Sequence, residues 1–230
     1  MRRAVAAMTL EWAFRLILAA AAWGGSLNAA SSQEPPIGLL IRELASPEFE
    51  VRRLAQEQLQ GLGLEAFDAL LDAQFDPDVE VAHRARFILR SMAIEWVKES
   101  DPKDVKSILR NYGKADPIDR RIQIEALAQL EDQRGTAALC RLSNYEYDPV
   151  LSKYAALQIM QLELETAEAR EAVRRTIELH CRPSKRPASR WLQTYRAWLA
   201  DPVKTLDVWS EIVAQERQEL EAASRNTSRE

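Results

Sequence analysis

Two stretches of nearly the same design lie thirty positions apart in this chain. The first, at residues 46–63, reads SPEFEVRRLAQEQLQGLG, and the second, at 76–92, reads DPDVEVAHRARFILRSM. Each opens with a small polar residue and proline, and then places apolar residues three and four positions apart, as on one face of a helix. Helices of this length are marginal alone in water. We therefore expect each helix to bury its apolar face against a neighbouring helix.

The apolar faces of these two helices can be assigned from the spacing. The first stretch should bury Val51, Leu54, Ala55 and Leu59. The second should bury four residues with the same spacing, which are Val81, Ala85, Ile88 and Leu89. The chain contains no convincing run of strictly alternating apolar and polar residues, so we predict no sheet.

Pairs of Ser or Asp followed by Pro recur along the chain. Ser and Asp side chains accept hydrogen bonds at a helix start, and proline suits the first turn. Each pair therefore predicts a helix start, and together with the apolar spacing they indicate about ten helices along the chain, the last of them a C-terminal tail. The pairs are Ser46-Pro47, Asp76-Pro77, Asp101-Pro102, Asp116-Pro117, Asp148-Pro149 and Asp201-Pro202. Paired helices at a period of about 30 to 40 residues are typical of a solenoid.

Residues 43–92 resemble HEAT repeats. In that family a second helix starts with Asp-Pro and then carries Val, Arg and Ala, and these places are filled here twice. The matching residues are Val51, Arg52 and Ala55, and then Val81, Arg84 and Ala85. The resemblance is weaker over 116–165 and reduces to helical character over 166–230. It implies an all-α, right-handed solenoid of stacked helical hairpins, of an exported bacterial type, that binds other proteins.

The N-terminus has the layout of a secretory signal peptide. Arg2 and Arg3 are followed by the short apolar run LILAAAAW at 16–23 and then by small residues. We predict cleavage after residue 29, with export to the periplasm or outside the cell. The alternatives are an uncleaved membrane anchor and an ordinary buried helix.

Five segments follow from these observations. They are a signal peptide at 1–29, a linker at 30–36, a HEAT-like domain at 37–200, a C-terminal helix at 201–223 and a disordered tail at 224–230. Removal of residues 1–29 takes away three arginines and one glutamate, so the net charge falls from −4 to −6. An acidic chain is a poor candidate for nucleic-acid binding, which depends on clustered cations.

Arginines recur near the starts of equivalent helices and form the first candidate binding surface. These residues are Arg52, Arg53, Arg84, Arg86, Arg120 and Arg121. They are predicted to line a surface that captures another protein. The alternative is that they pair with nearby acids such as Glu48, Glu50, Asp78 and Glu80.

The segment HCRPSKRPASRW, at 180–191, is a second candidate because it is basic and contains two prolines. Lys185 and Arg186 are the residues we select as a dock for an acidic partner. The alternative is a solvated linker that leads into an aromatic core face of the next helix.

The two cysteines, Cys140 and Cys181, lie about one repeat apart. Three interpretations stay open: a disulfide, two small buried apolar residues, or a reactive thiol at Cys181 beside Arg182 and Lys185. The spacing of cysteines and histidines fits no metal site, and no catalytic motif is present.

The sequence therefore predicts a non-enzymatic exported scaffold or adaptor that needs no cofactor and binds another protein. A HEAT-like lyase or a thiol enzyme using Cys181 is the enzymatic alternative. A third interpretation is that the chain forms the N-terminal part of a larger multidomain protein.

Overall fold

The fold was analysed in a computed structural model, which describes residues 36–227. The predicted signal peptide, the linker up to residue 35 and residues 228–230 lie outside the described residues. Within the described range the chain is helical and contains no strand, which confirms the prediction of an all-α protein.

Eleven α-helices follow one another along the described residues. They are α1 (Ile37–Glu43), α2 (Phe49–Leu62), α3 (Phe67–Ala73), α4 (Val79–Ser91), α5 (Lys103–Leu109), α6 (Pro117–Ala128), α7 (Thr136–Tyr145), α8 (Pro149–Met160), α9 (Ala167–His180), α10 (Pro187–Ala200) and α11 (Leu206–Thr227). The last helix runs to Thr227, whereas the sequence placed the end of the C-terminal helix at residue 223.

The first ten helices pack as five consecutive hairpins, from α1 with α2 to α9 with α10. The second helices also contact one another, α2 with α4, α6 with α8 and α8 with α10. Among the first helices, α1 packs on α3 and α7 packs on α9. Each hairpin therefore gains part of its buried surface from another hairpin.

The aspartates of the Asp-Pro pairs differ in whether they cap the helix that follows. Asp116 and Asp148 cap α6 and α8 directly, because their carboxylates accept backbone N–H groups of the first turn. Asp76 does not cap α4, since its carboxylate accepts the Asp78 N–H and Asp78 is the capping residue. Asp101 caps no helix and instead forms a buried ion pair with Arg141.

Two clusters of buried apolar side chains form the interior. One lies within residues 37–94 and also receives Tyr145 from the end of α7 and Tyr147 from the turn that follows. The other spans α5 to α10 and includes both cysteines. Each cluster is shared by several helices.

The predicted inward faces are right for α4 and partly wrong for α2. Val81, Ala85, Ile88 and Leu89 are all buried, as expected. On α2 the core side chains are Ala55 and Leu59, whereas Leu54 is 48% exposed. The neighbouring helices cover a narrower stripe of α2 than its apolar spacing predicted.

Gly135 permits a close approach between the start of α7 and the end of α6. A methyl group at this position would lie 2.0 Å from the Leu127 carbonyl oxygen, and no side chain of any other residue type would fit there.

Candidate functional site

Three of the predicted binding arginines pair with glutamates of their own helix. Arg53 bonds to Glu50 and Glu57, Arg84 to Glu80 and Arg121 to Glu125. These are pairs at spacings of three or four residues, which stabilise a helix by a few tenths of a kcal/mol. Their positive charge is therefore matched locally by acidic side chains.

The other three arginines bind backbone carbonyls of their own hairpin. Arg52 donates to the Ser46 and Pro47 carbonyls, and Arg86 donates to the Gln74 carbonyl at 2.9 Å. Arg120 donates to the Ala115 carbonyl at 3.0 Å. These arginines hold the turns that precede the second helices, a role that sequence spacing alone did not indicate.

Exposed apolar side chains lie on the same second helices. On α4, Val79 and Phe87 are separated by two helical turns and are 81% and 53% exposed. Ile118 and Ile122 are one turn apart on α6 and are also exposed, as is Leu54 on α2. We call these five residues the second-helix face. The spacing of four residues was visible in the sequence, but it did not show which apolar face would stay uncovered.

Glu146 occupies the turn between α7 and α8 and is fully buried. Its carboxylate accepts the Tyr112 hydroxyl at 2.6 Å, an Arg120 N–H at 3.0 Å and the Asp148 backbone N–H at 3.1 Å. A buried carboxylate is tolerable when it is paired and hydrogen-bonded in this way. Burial, together with the negative charge of Glu146, raises the pKa of Tyr112.

Arg186 is engaged inside the protein and does not contribute to an exposed dock. Its guanidinium donates to the Asn144 and Glu146 carbonyls and lies over the Phe67 ring, 5.5 Å from its centroid. Burial lowers its pKa. Lys185, by contrast, is exposed and has no bonding partner among the described residues.

The loop between α9 and α10 reaches back to the second hairpin. Arg182 donates to the Asp68 carboxylate at 2.8 Å and to the Leu64 carbonyl at 2.9 Å. On the same side, Tyr147 donates its hydroxyl hydrogen to the Leu89 carbonyl at 2.7 Å. We call the contacts of Arg182, Arg186 and Tyr147 with α3 and α4 the seam.

Cys140 and Cys181 are free thiols buried in the same apolar cluster. Burial raises the pKa of both, and the proximity of Cys181 raises that of Cys140 further. A nucleophilic thiol requires a lowered pKa and access to solvent. This environment matches two small buried apolar residues and lends no support to a thiol enzyme.

A polar cavity of about 370 Å³ opens between α7, the end of α9 and the following loop. Arg141, Asn144, His180 and Cys181 line it, and Lys98 approaches from the segment before α5. Desolvation and the positive charges of Lys98 and Arg141 lower the pKa of His180. These residues come from three separate segments, so their grouping could not be predicted from the sequence.

No group of three or more His, Cys, Asp or Glu side chains within 36–227 is arranged to hold a metal ion. In the same range no helix has the length and apolar character needed to cross a membrane.

The described residues thus form an all-helical protein of consecutive hairpins with exposed apolar side chains on its second helices. Comparison with protein-family models, with curated proteins and with solved structures gives no match for the chain.

Proposed function

We propose that this chain is an exported, non-enzymatic α-solenoid of the HEAT-like kind that binds another protein along its second helices. The observation that carries the proposal is the second-helix face. Exposed apolar side chains recur there on three successive second helices, at Leu54, Phe87 and Ile122 among others. A large contiguous patch of exposed apolar side chains is typical of a protein-binding site, and we propose that these residues form one.

The solenoid arrangement is supported by the order of the contacts. Each hairpin is formed by consecutive helices, and second helices contact the second helices of neighbouring hairpins at three places along the chain. Proteins of this kind add stability through interfaces between adjacent repeats and offer an extended surface for binding.

The arginines beside the apolar side chains add little net charge to the proposed surface. Arg53, Arg84 and Arg121 flank the apolar side chains, but each is neutralised by a glutamate of its own helix. The expected partner is therefore an amphipathic segment that covers Phe87 and its neighbours, with polar groups that meet the charged pairs at the edge. Charged pairs at a rim contribute little to affinity.

Site-specific photo-crosslinking in the native source tests this surface. A photoreactive residue at Phe87 or Ile122 should link one defined protein, whereas the same residue at Val203 or Leu220 should not. Val203 and Leu220 are suitable control positions because they are exposed apolar residues on other elements. Equal labelling from all four positions would show that the second-helix face is not a binding site.

A triple variant measures the contribution of the face directly. Leu54→Ser, Phe87→Ser and Ile122→Ser together should abolish complex formation with the crosslinked protein while leaving the melting temperature close to that of the wild type. The matched control replaces three exposed residues elsewhere, Val203, Val213 and Leu220, with serine. Loss of binding in the control would contradict the assignment.

Export is the second part of the proposal and has its own support and test. The basic start, the apolar run at 16–23 and the small residues that follow are the features of a signal peptide. N-terminal sequencing of the protein from native cells should find a chain that begins near residue 30. A chain that keeps residues 1–29 in a membrane fraction would favour the anchor instead.

A further inference from the structure

A further cavity is formed where the fourth hairpin leads into the fifth. Its volume is about 380 Å³, and ligand pockets in proteins typically span about 300 to 1,000 Å³. Its lining comes from the end of α8, the segment between α8 and α9, the first turn of α9 and the second half of α10. None of the lining residues belongs to the second-helix face, so this cavity is separate from the proposed protein-binding surface.

The walls of this cavity are mostly apolar. The apolar lining consists of Met160, Leu162, Leu164, Trp198, Leu199 and Pro202. Glu163 and Glu165, which alternate with the two leucines, are exposed and lie outside the lining. Among the described residues, no acidic side chain therefore lines the cavity. Such walls favour a ligand with an apolar body.

Tyr195 brings a hydroxyl without a hydrogen-bond partner to this cavity. The residue lines the cavity and is only 6% exposed. Its hydroxyl has no partner within residues 36–227, but it does not belong to the unpaired side-chain atoms of that range that are closed to solvent, so a ligand can reach it. Burial raises the pKa of Tyr195, so the hydroxyl keeps its hydrogen at neutral pH and can donate. A buried tyrosine hydroxyl usually has a hydrogen-bond partner, which a ligand would supply here.

The other polar side-chain groups at the cavity are also donors. Arg170 donates its Nε–H to the Leu164 carbonyl at 3.2 Å, and its two Nη atoms have no partner within residues 36–227. The indole N–H of Trp198 is unpaired in the same range, and its ring stacks on Tyr195 with the centroids 5.7 Å apart. A cavity with several donors, one of them cationic, favours a ligand group that accepts hydrogen bonds and carries negative charge.

We propose that this cavity binds a small carboxylate with an apolar body. The carboxylate would accept hydrogen bonds from the Arg170 Nη groups and from the Tyr195 hydroxyl, and two oxygen atoms are available for these donors. The apolar body would lie against Met160, Leu164 and the Trp198 ring. A neutral amphiphile fits less well because it would leave the charge of Arg170 without a counterion. A carboxylate without an apolar body would leave the walls of the cavity in contact with water.

A calorimetric titration of the full chain with three small molecules tests the proposal. The probes are octanoate, octanamide and acetate. We expect octanoate to bind and octanamide to bind about tenfold more weakly, because the amide lacks the charge that Arg170 would meet. Acetate should bind at least about tenfold more weakly than octanoate, because it has no chain to bury. The proposal is overturned if octanoate does not bind, or if either of the other probes binds as tightly.

Tyr195→Phe keeps the aromatic ring and removes the hydroxyl. Octanoate should bind this variant about tenfold more weakly, because one hydrogen bond to its charged group is lost. The melting temperature should stay close to that of the wild type, since the hydroxyl has no partner within the described residues. Tyr154→Phe removes the same atom at a tyrosine outside the cavity lining and should change octanoate binding less than about twofold. Equal weakening by the two variants would contradict the assignment.

Arg170→Gln tests the charge and separates binding from structure. Its affinity for octanoate should fall to that for octanamide, so the preference for the acid over the amide disappears, whereas a purely structural loss would weaken both ligands alike. Arg217→Gln makes the same change in net charge at an exposed arginine of α11, outside the cavity lining, and should keep the preference. Arg170→Lys retains a positive charge and should keep part of it. An Arg170→Gln protein that still prefers octanoate about tenfold would overturn the proposal.

Discussion

Tyr112 donates its hydroxyl hydrogen to Glu146 at 2.6 Å, although the two residues lie 34 positions apart. Neither side chain is exposed to solvent. Arg120 completes the group by pairing with the same carboxylate and lying over the tyrosine ring, 5.5 Å from its centroid. This group joins the start of the third hairpin's second helix to the turn of the fourth hairpin.

Tyr112→Phe removes one hydrogen bond to this buried carboxylate. We expect the free energy of unfolding to fall by about 1.5–3 kcal/mol, the usual contribution of a hydrogen bond to a charged group. Chemical denaturation monitored by circular dichroism measures the change. Tyr154→Phe, which alters a more exposed tyrosine, serves as the control and should cost less.

The same tyrosine predicts a pH dependence. Its pKa is raised above 10.0 in the folded protein, by burial first and then by Glu146. Above pH 10 the unfolded chain loses this proton while the folded chain keeps it, so stability falls as pH rises. The stability difference between wild type and Tyr112→Phe should therefore shrink above about pH 10. A difference that stays constant up to pH 11 would contradict this account.

Leu54 and Leu59 lie on different faces of α2 and should respond differently to the same substitution. Leu54→Asp should change the free energy of unfolding by less than about 0.5 kcal/mol, because this side chain is 48% exposed. Leu59→Asp places a charge in the core and should cost several kcal/mol. Melting curves of the two variants compare them directly. A large loss of stability for Leu54→Asp would show that Leu54 belongs to the buried face of α2.

Lys185 and Arg186 are adjacent in the chain, but we expect their substitution to affect stability very differently. Lys185→Glu should leave stability within about 0.5 kcal/mol of wild type, since the side chain is exposed. Arg186→Glu removes the donors to two carbonyls and buries a new negative charge near Glu146, so we expect a loss of about 3 kcal/mol or more. Thermal unfolding of both variants tests this, and equal effects would count against a structural role for Arg186.

Lys98 should control the proton affinity of His180. Desolvation and the charges of Lys98 and Arg141 lower the pKa of His180, and Asp101 opposes them. Lys98→Gln removes one of these positive charges, so the pKa of His180 should rise towards 6.5. A nuclear magnetic resonance titration of the His180 imidazole signal measures it, with the wild-type protein as the reference.

The two thiols should be unreactive in the native protein. Both are buried, and burial raises the pKa of both, so little thiolate is present at neutral pH. A water-soluble disulfide reagent should modify them only after denaturant is added. Rapid labelling of Cys181 at neutral pH without denaturant would revive the thiol-enzyme alternative.

The sequence correctly predicted structural features that depend on residues close together in the chain. The Asp116 and Asp148 caps, and the buried stripe of α4, all follow from spacing within one helix and its first turn. Leu54 was misassigned because periodicity marks an apolar face but not how much of it another helix covers. How much of the face is covered depends on packing between hairpins, and the sequence of a single helix does not determine that packing.

The candidate sites were less predictable because their contacts join distant positions. Arg182 and Asp68 are separated by 114 positions. Asn144 becomes a cavity residue only because α9 ends beside it, and Glu146 is buried only because Arg120 and Tyr112 reach it. The basic character of the 180–191 segment was visible in the sequence. The contacts of Arg182 with Asp68 and of Arg186 with Phe67 in the second hairpin were not.

The seam has a consequence for how the chain is assembled during synthesis. The second hairpin leaves the ribosome long before the loop that contains Arg182 and Arg186. Asp68 and the Phe67 ring therefore lack these contacts until more than a hundred further residues have been translated. The early hairpins can form, but their final docking requires nearly the whole domain. A chain interrupted before residue 180 should therefore expose an apolar surface that chaperones or proteases recognise.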